Sequence, residues 1–361
     1  MALSKVDLAN QVENQLPQNL IANNLPFRNR IINGDMVIDQ RRAGTSYTSS
    51  NANVYTLDRW LTFETGGVSS RFTIQQNAGS VTPPTGFTNY MGITSSVASA
   101  VTAGMIQSIA QKIEGYNASD LAWGTANAKT VTISFWVRSS LTGTFGGVLS
   151  NGAVNYSYPF TYTISAATTW EYKTVTIAGP TAGTWNTTNG AGPVLQFVIG
   201  TGSTFNGTAG SWSANGWYGV TGATDLTATS GATLYITGVQ LEAGTTASDF
   251  EFLPVDVNLQ RCFRYFEKGD FGANGLYSHK TTGRIDAPRM RFHTEKRATP
   301  TITVDDSADN VGKVSRVDID VTGSINQNGA GYASRFSVGF YSSSGVNATG
   351  IYGNFKADAE L

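Results

Sequence analysis

Charge is scarce in this sequence. Asp, Glu, Lys and Arg make up 14% of 361 residues and nearly cancel, leaving a net charge of −1. A chain so close to neutrality offers no electrostatic footprint for nucleic acid or an anionic membrane, so its partners must be found by shape. Cysteine is scarcer still: Cys262 stands alone, which excludes an intramolecular disulfide, and a lone thiol on a helical apolar stripe is expected to be buried. Only His279 and His293 could act as histidine bases or ligands, and their polar surroundings point to surface positions. No run approaches the roughly 18 to 20 apolar residues of a membrane span, and Met1-Ala-Leu-Ser-Lys-Val-Asp7 lacks the apolar core of a signal peptide. The expectation is a protein made in a cytoplasm, soluble, with no membrane insertion and no nucleic-acid partner.

Catalytic arrangements are missing as well. Asp305-Asp306 and Asp309 lack the spacing of a calcium loop and fit a solvated turn, and Asp318 and Asp320 share a strand face with basic Arg316 beside them. Gly143-Thr-Phe-Gly-Gly147 is not followed by Gly-Lys-Ser/Thr, which removes the phosphate-loop reading. The chain is therefore expected not to be an enzyme. A polysaccharide depolymerase is disfavoured by the lack of β-helix repeats and of paired carboxylates.

What is abundant is glycine, 40 residues, amid Ser, Thr and Asn, with only 10 prolines. This composition suits many short strands with tight turns, hence an all-β fold. At this length two domains are expected, since one core seldom grows past about 250 to 300 residues. Charge density divides them: residues 43–250 carry 6 Lys or Arg and 8 Asp or Glu, whereas residues 256–361 carry 13 and 12 in half the length. Residues 4–16 precede both and have helical spacing, with Ser4 as cap, Val6, Ala9, Val12 and Leu16 on one face, and Pro17 as stop. So short a helix is marginal alone, and either packs on copies of itself or a neighbour or remains a frayed polar leader.

From Asn29 the apolar residues alternate. Arg30 to Asp39, Trp60 to Phe63, Arg71 to Gln75, Met91 to Ile93 and Gln107 to Glu114 read as strands. Val131 to Arg138 places Val131, Ile133, Phe135 and Val137 on a core face and Thr132, Ser134, Trp136 and Arg138 on the other; Trp170 to Ile177, Val194 to Ile199 and Thr233 to Leu241 behave alike. Strands so spaced predict an antiparallel sandwich whose first and last strands could pair.

After Pro254, Asp256 is placed to cap a short helix carrying Leu259, Cys262, Phe263 and Phe266 on one stripe. Residues 271–277, 285–292, 300–304, 314–321, 335–341 and 351–355 then alternate as strands of a second, smaller β-sandwich. The division expected is 1–28 as an attachment segment, 29–254 as the first sandwich and 255–361 as the second.

Four stretches carry a resemblance. They are Asn33-Gly-Asp-Met-Val-Ile-Asp-Gln-Arg-Arg42, Asp58-Arg-Trp60, Gly238-Val-Gln-Leu-Glu-Ala-Gly244 with Phe250-Glu-Phe-Leu-Pro254, and Leu259-Gln-Arg-Cys-Phe-Arg-Tyr-Phe266. Together with Arg291 to Thr303, which surrounds an Arg-Ala-Thr-Pro turn, the chain resembles bacteriophage tail-fibre and appendage proteins, whose first domain has the jelly roll also seen in carbohydrate-binding modules. The resemblance covers residues 29–253 for the jelly roll. In the family the helix reads Leu-Cys-Gln-Arg-Tyr-Tyr, and here the order differs while the residue types remain. It implies a virion structural protein: a homotrimer attached by its first 28 residues, with Val6, Ala9, Val12 and Leu16 as contacts to other virion proteins. The C-terminal sandwich would be the tip, meeting a host-surface glycan or protein.

Binding modules of this fold often tie the first strand to the last with calcium. Here only Asp35 and Glu242 are available carboxylates, and Thr237-Gly238 stands where such modules tend to be acidic, so no cofactor is expected beyond that one candidate metal pair. Between Gly179 and Thr229, Trp185, Phe205, Trp212, Trp217 and Tyr218 lie among Gly, Ser, Asn and Thr. Flat rings stack on sugar C–H faces and these polar side chains bond hydroxyls, so Trp185, Trp212, Trp217 and Tyr218 are the candidate glycan contacts. The same rings could instead plug an irregular sandwich edge or join subunits. A free carbohydrate-binding module remains the alternative to a fibre subunit.

Overall fold

A computed structural model describes residues 27–274, 279–281, 284–286, 290–305, 311, 313–316, 323–324, 333–338, 341–342 and 350–361. The expected helix at 4–16, with Val6, Ala9, Val12 and Leu16, lies outside the described residues, as do Asp306, Asp309, Asp318 and Asp320. The chain divides into two compact units, Met1–Leu253 and Pro254–Leu361.

The first unit is an all-β jelly-roll sandwich. Its strands are β1 (Tyr47–Thr48), β2 (Leu61–Thr65), β3 (Phe72–Gln76), β4 (Met91–Ser95), β5 (Ile106–Glu114), β6 (Val131–Ser139), β7 (Gly143–Ser150), β8 (Ser157–Ile164), β9 (Glu171–Ile177), β10 (Ala191–Thr201), β11 (Asn206–Gly207), β12 (Gly219–Val220) and β13 (Thr233–Ala243). Sheet one runs β1-β3-β4-β13-β6-β9 and sheet two β2-β5-β10-β7-β8, every pair antiparallel, so the chain crosses repeatedly from one sheet to the other. The alternating residues face inward as their period requires: Val131, Ile133, Phe135 and Val137 are fully buried and meet Phe145, Leu195, Phe197 and Leu241 in one core. β7 escapes a reading by alternation, because Gly143, Gly146 and Gly147 sit where side chains would mark the pattern, whereas β8 alternates through buried Phe160, Tyr162 and Ile164. Gly147 has to be glycine: a Cβ there would lie 2.2 Å from the Phe160 ring.

The segment Arg30 to Asp39 is not a strand, contrary to its alternation. It is a chain of bends and turns, with Asn33 (φ 58°) and Met36 (φ 60°) in the left-handed region. Its apolar residues are nonetheless buried: Ile31, Ile32, Met36 and Ile38 plug the sandwich, and side chains supply the hydrogen bonds a ladder would have given. Asn33 accepts from the Ile38 N–H (2.9 Å) and donates to the carbonyls of Ile38 (2.8 Å) and Asp58 (3.0 Å), while its own carbonyl accepts from the Trp60 indole (3.0 Å). Gln111 bonds both backbone groups of Ile32, at 2.8 Å each.

This plug locks onto β13 at a bulge. The register against β6 slips by one residue between Thr237 and Gln240, with Gly238 at φ 61°, and the slip frees the backbone of Val239. The Val239 N–H donates to the Gly34 carbonyl (2.9 Å), and its carbonyl accepts from Asn29 Nδ2 (3.1 Å). Gly34 admits no side chain, since a Cβ would stand 2.1 Å from the Val239 oxygen. The segment leaving β13 joins in: the Asn29 N–H donates to Glu251 (2.9 Å), the Glu251 N–H to Gln240 (2.9 Å), and Arg28 bonds Ser248 (2.8 Å) and the Asp249 carbonyl (2.7 Å). First and last strands do not pair; a bent entry segment docks on a bulge instead.

In the second unit the helix spans Val255–Phe263, begins at Pro254 with no side-chain cap, and carries Asp256 in its first turn, not as the cap. Phe266 opens the strand Phe266–Asn274 and lies beyond the helix. That strand pairs with Gly350–Asp358, which also pairs with Thr301–Asp305 and Lys313–Arg316. Cys262 is buried as expected. Lys296, fully buried, donates to the Phe263 carbonyl and to Glu267, and burial pushes its ammonium below the usual lysine range while Glu267 opposes the shift. Asp305 is no solvated turn: it is buried and ion-paired with Lys356 at 2.6 Å.

Asn33→Ala would strip three hydrogen bonds and leave Ala at a left-handed φ, so urea denaturation is expected to register a loss of about 3 kcal/mol. Asp58, held by the Gln40 N–H (2.7 Å) and side chain (2.6 Å), is pushed up to about 6, by burial first, with Arg41 and Gln40 opposing. The folded state therefore holds this proton more tightly than the unfolded one. That contribution is complete below the ordinary carboxylate pKa near 3.8 and is lost as pH rises through 6. The stability of the protein relative to Asp58→Asn should fall by about 2 kcal/mol between pH 4 and pH 7; a flat difference would contradict the assignment.

Candidate functional site

Trp185, Trp212, Trp217 and Tyr218 do not form one surface. Trp185 and Trp212 meet edge to face (5.6 Å, 90°), and both pack on buried Trp123 (4.7 and 5.9 Å); Tyr156 stacks on Trp212 at 5.7 Å and 13°. Each indole N–H is already committed, Trp123 to the Lys129 carbonyl (2.8 Å), Trp185 to Ala182 (3.1 Å) and Trp212 to Ala178 (2.7 Å). Rings interlocked in this way close the end of the sandwich as a plug. Trp217 lies against Gly207, where a Cβ would come within 2.5 Å of its ring.

Tyr218 is placed differently. The segment from Asn206 to Val220 folds back across the outer face of sheet two and is sewn down at β8: Ser157 and Ser213 exchange backbone hydrogen bonds (3.0 and 2.9 Å), and the Ser157 hydroxyl donates to the Asn215 carbonyl (2.7 Å). This brings the Tyr218 ring edge-on to Phe63 (5.8 Å) and Phe205 (5.9 Å). There it borders a cavity of about 330 Å³ lined by Asn53, Phe63, Glu64, Thr65, Ile106 and Tyr218. Partial burial pushes the Tyr218 phenol up, so it stays a neutral donor at ordinary pH. Glu64 is likewise pushed up by burial, against hydrogen bonds led by the Asn51 N–H (2.9 Å).

Phe63 and Ile106 belong to an apolar strip on the outward face of sheet two, with Leu61, Ala110 and Val194. Sequence reading missed this strip, although a signal was there: β5 carries apolar residues on both faces, Ile106 and Ala110 on one and Ile109 and Ile113 on the other, and a solvated outer face would not. Asn53 and Thr65 had no local signal; only the fold brings them to the cavity.

Asp35 and Glu242 do not converge. The Asp35 carbonyl accepts from Thr237 (3.4 Å), whereas Glu242 is five residues farther along β13, on the order of 16 Å at strand rise. Both Glu242 oxygens are engaged, by the Ser248 N–H (2.8 Å), the Ser248 hydroxyl (2.6 Å) and Gln240 (2.9 Å). This donor set does not fit a calcium ion, and among the described residues no group of three or more His, Cys, Asp or Glu side chains could hold a metal. The ring of His293 is mostly exposed and bonds Glu267 at 2.8 Å.

No family model and no curated protein matches the chain. Several solved structures align with it at low identity. The crystal structure of the bacteriophage CBA120 tailspike protein 4 enzymatically active domain matches 61% of this chain at 12% identity and TM-score 0.34, and the match spans only 22% of that longer chain. A putative sugar binding protein from Bacteroides thetaiotaomicron matches 60% of this chain and all of its own, at 12% identity and TM-score 0.34. A family 11 carbohydrate-binding module from Clostridium thermocellum, solved with a mixed-linked tetrasaccharide, matches 57% of this chain and 98% of its own, at 12% and 0.26. Likeness at this level assigns no residue and no ligand, and what the chain shares with carbohydrate-binding modules and with a phage tailspike domain is a low-identity structural match.

Proposed function

We propose that the protein is a virion appendage subunit of the bacteriophage tail-fibre type, working as a homotrimer, joined to the particle by its first 28 residues, and contacting a host-surface glycan. The observation that carries this reading is the convergence of the stretches in which the sequence resembles phage appendages. Asn33, Gly34, Asp58, Trp60, Val239, Gln240 and Glu251 lie far apart in sequence and build one buried network. Residues that depend on one another in this way form a single structural device, which supports reading the separate stretches as one feature.

The glycan contact is assigned to the Tyr218 cavity. Its ring edges and the Phe63 and Ile106 floor suit the C–H faces of a sugar, while Asn53 and Thr65 at its lining suit hydroxyls. The role is contact, not turnover.

Cryo-electron microscopy of particles labelled at the C-terminus is expected to reveal the protein as a stoichiometric, three-fold appendage. A monomer absent from particles would favour a free carbohydrate-binding module. On an array of host-surface and plant polysaccharides, Tyr218→Ala should weaken binding by about tenfold or more, whereas Trp185→Phe, within the plug, should leave affinity unchanged.

A further inference from the structure

Gln196 occupies the middle of the central strand of sheet two, fully buried, with its side chain on the outward face. Directly opposite it stand Ala110 on β5 and Val148 on β7, and the same face carries the apolar strip of Leu61, Phe63, Ile106, Ala110 and Val194, with Phe205 and Tyr218 packed against it. Nothing in the packing calls for an amide, and an apolar residue of similar volume would fit this strip better. Ser108, diagonal to it across β5 and β10, donates to Gln196 Oε1 at 3.3 Å, while Gln196 Nε2 has no hydrogen-bond partner among the described residues. One serine hydroxyl can satisfy one end of an amide but not both, so one end stays unmatched whichever way the amide is turned.

Ser108 links this amide to the cavity. It pairs in register with Phe63 and stands two residues from Ile106 on the same strand face, and both of those residues line the opening. Gln196 is therefore one side chain behind the cavity floor, and the Tyr218 ring packs edge-on to Phe63 at that floor. Ser150, diagonal to Gln196 across β7 and β10, has a second buried hydroxyl without a partner among the described residues.

We infer that Gln196, oriented by Ser108, is the specificity-determining donor of an inner subsite, reached when the Tyr218 ring swings aside, that takes an uncharged hydroxyl of a glycan. An amide and two hydroxyls offer neutral hydrogen bonds suited to a sugar hydroxyl; the charges nearby are Glu64 in the cavity lining and Lys112, whose ammonium lies 5.8 Å over the Phe63 ring. This rests on the glycan reading above and adds the residue that would choose among sugars.

The test uses the full-length chain with a panel of neutral hexasaccharides (β-1,4-glucan, α-1,4-glucan, β-1,4-mannan), the single-deoxy forms of whichever binds, and titration calorimetry. Gln196→Leu should fold with an unchanged or higher Tm and bind the preferred oligosaccharide about tenfold more weakly. One deoxy analogue should bind wild type and Gln196→Leu equally, identifying the hydroxyl that Gln196 reads. If Tyr218→Ala loses binding while Gln196→Leu binds as wild type does, the inner subsite is refuted and the glycan reading stands. If wild type binds no member of the panel or of the polysaccharide array, both fall. A Gln196→Leu chain that does not fold would assign the amide a structural role and also overturn the subsite.

Discussion

The first sandwich depends on the way an irregular segment is made to belong to it. Residues 28–38 have no strand partner, yet they carry four buried apolar side chains and a full set of backbone groups into the interior. Burying such backbone without partners would be prohibitive. The solution is side-chain mimicry. Asn29, Asn33 and Gln111 take the places of strand neighbours, and a bulge in β13 turns one residue's N–H and C=O away from its own ladder to meet them. Both Asn29 and Val239 serve two segments at once, so the entry, the bulge and the exit loop stand or fall together.

The two sheets then have different duties. Sheet one holds this lock through its central strand β13. Sheet two, on its outward side, carries an apolar strip beneath a returning loop, and the cavity lies where that loop ends and the strip begins. A loop sewn to the sheet at Ser157 holds a half-buried ring at the border of that cavity. The plug of Trp123, Trp185 and Trp212 closes the end of the same sandwich, which separates the rings that seal from the ring that borders an opening.

Much of the architecture was legible. Regular strands with branched and aromatic residues declared themselves by period two, and the all-β class followed from composition. The failures have specific causes. Arg30 to Asp39 alternates because its apolar residues are buried, but burial alone does not decide between a strand and a bent plug; the left-handed Asn33 and the contact-limited Gly34 decide it, and only the structure gives those contacts. β7 was hidden by its glycines. For the site, exposed-looking aromatics in a polar loop were easy to collect and impossible to sort, since sealing and binding use the same residue types. Gln196 sits in an otherwise apolar strand, and its isolation gains meaning only once Ser108 and Phe63 are known to lie beside it.

Arg28 and Asn29 are fastened to Ser248, Asp249 and Glu251, so the sandwich takes in its chain and releases it at one spot. A module with that wiring behaves as a parenthesis in a sentence. It can be opened and closed within a longer polypeptide while the flanking sequence need only bridge a short gap, which makes it suited to being swapped between proteins as an intact cassette, and a new binding surface can spread without redesign of what carries it.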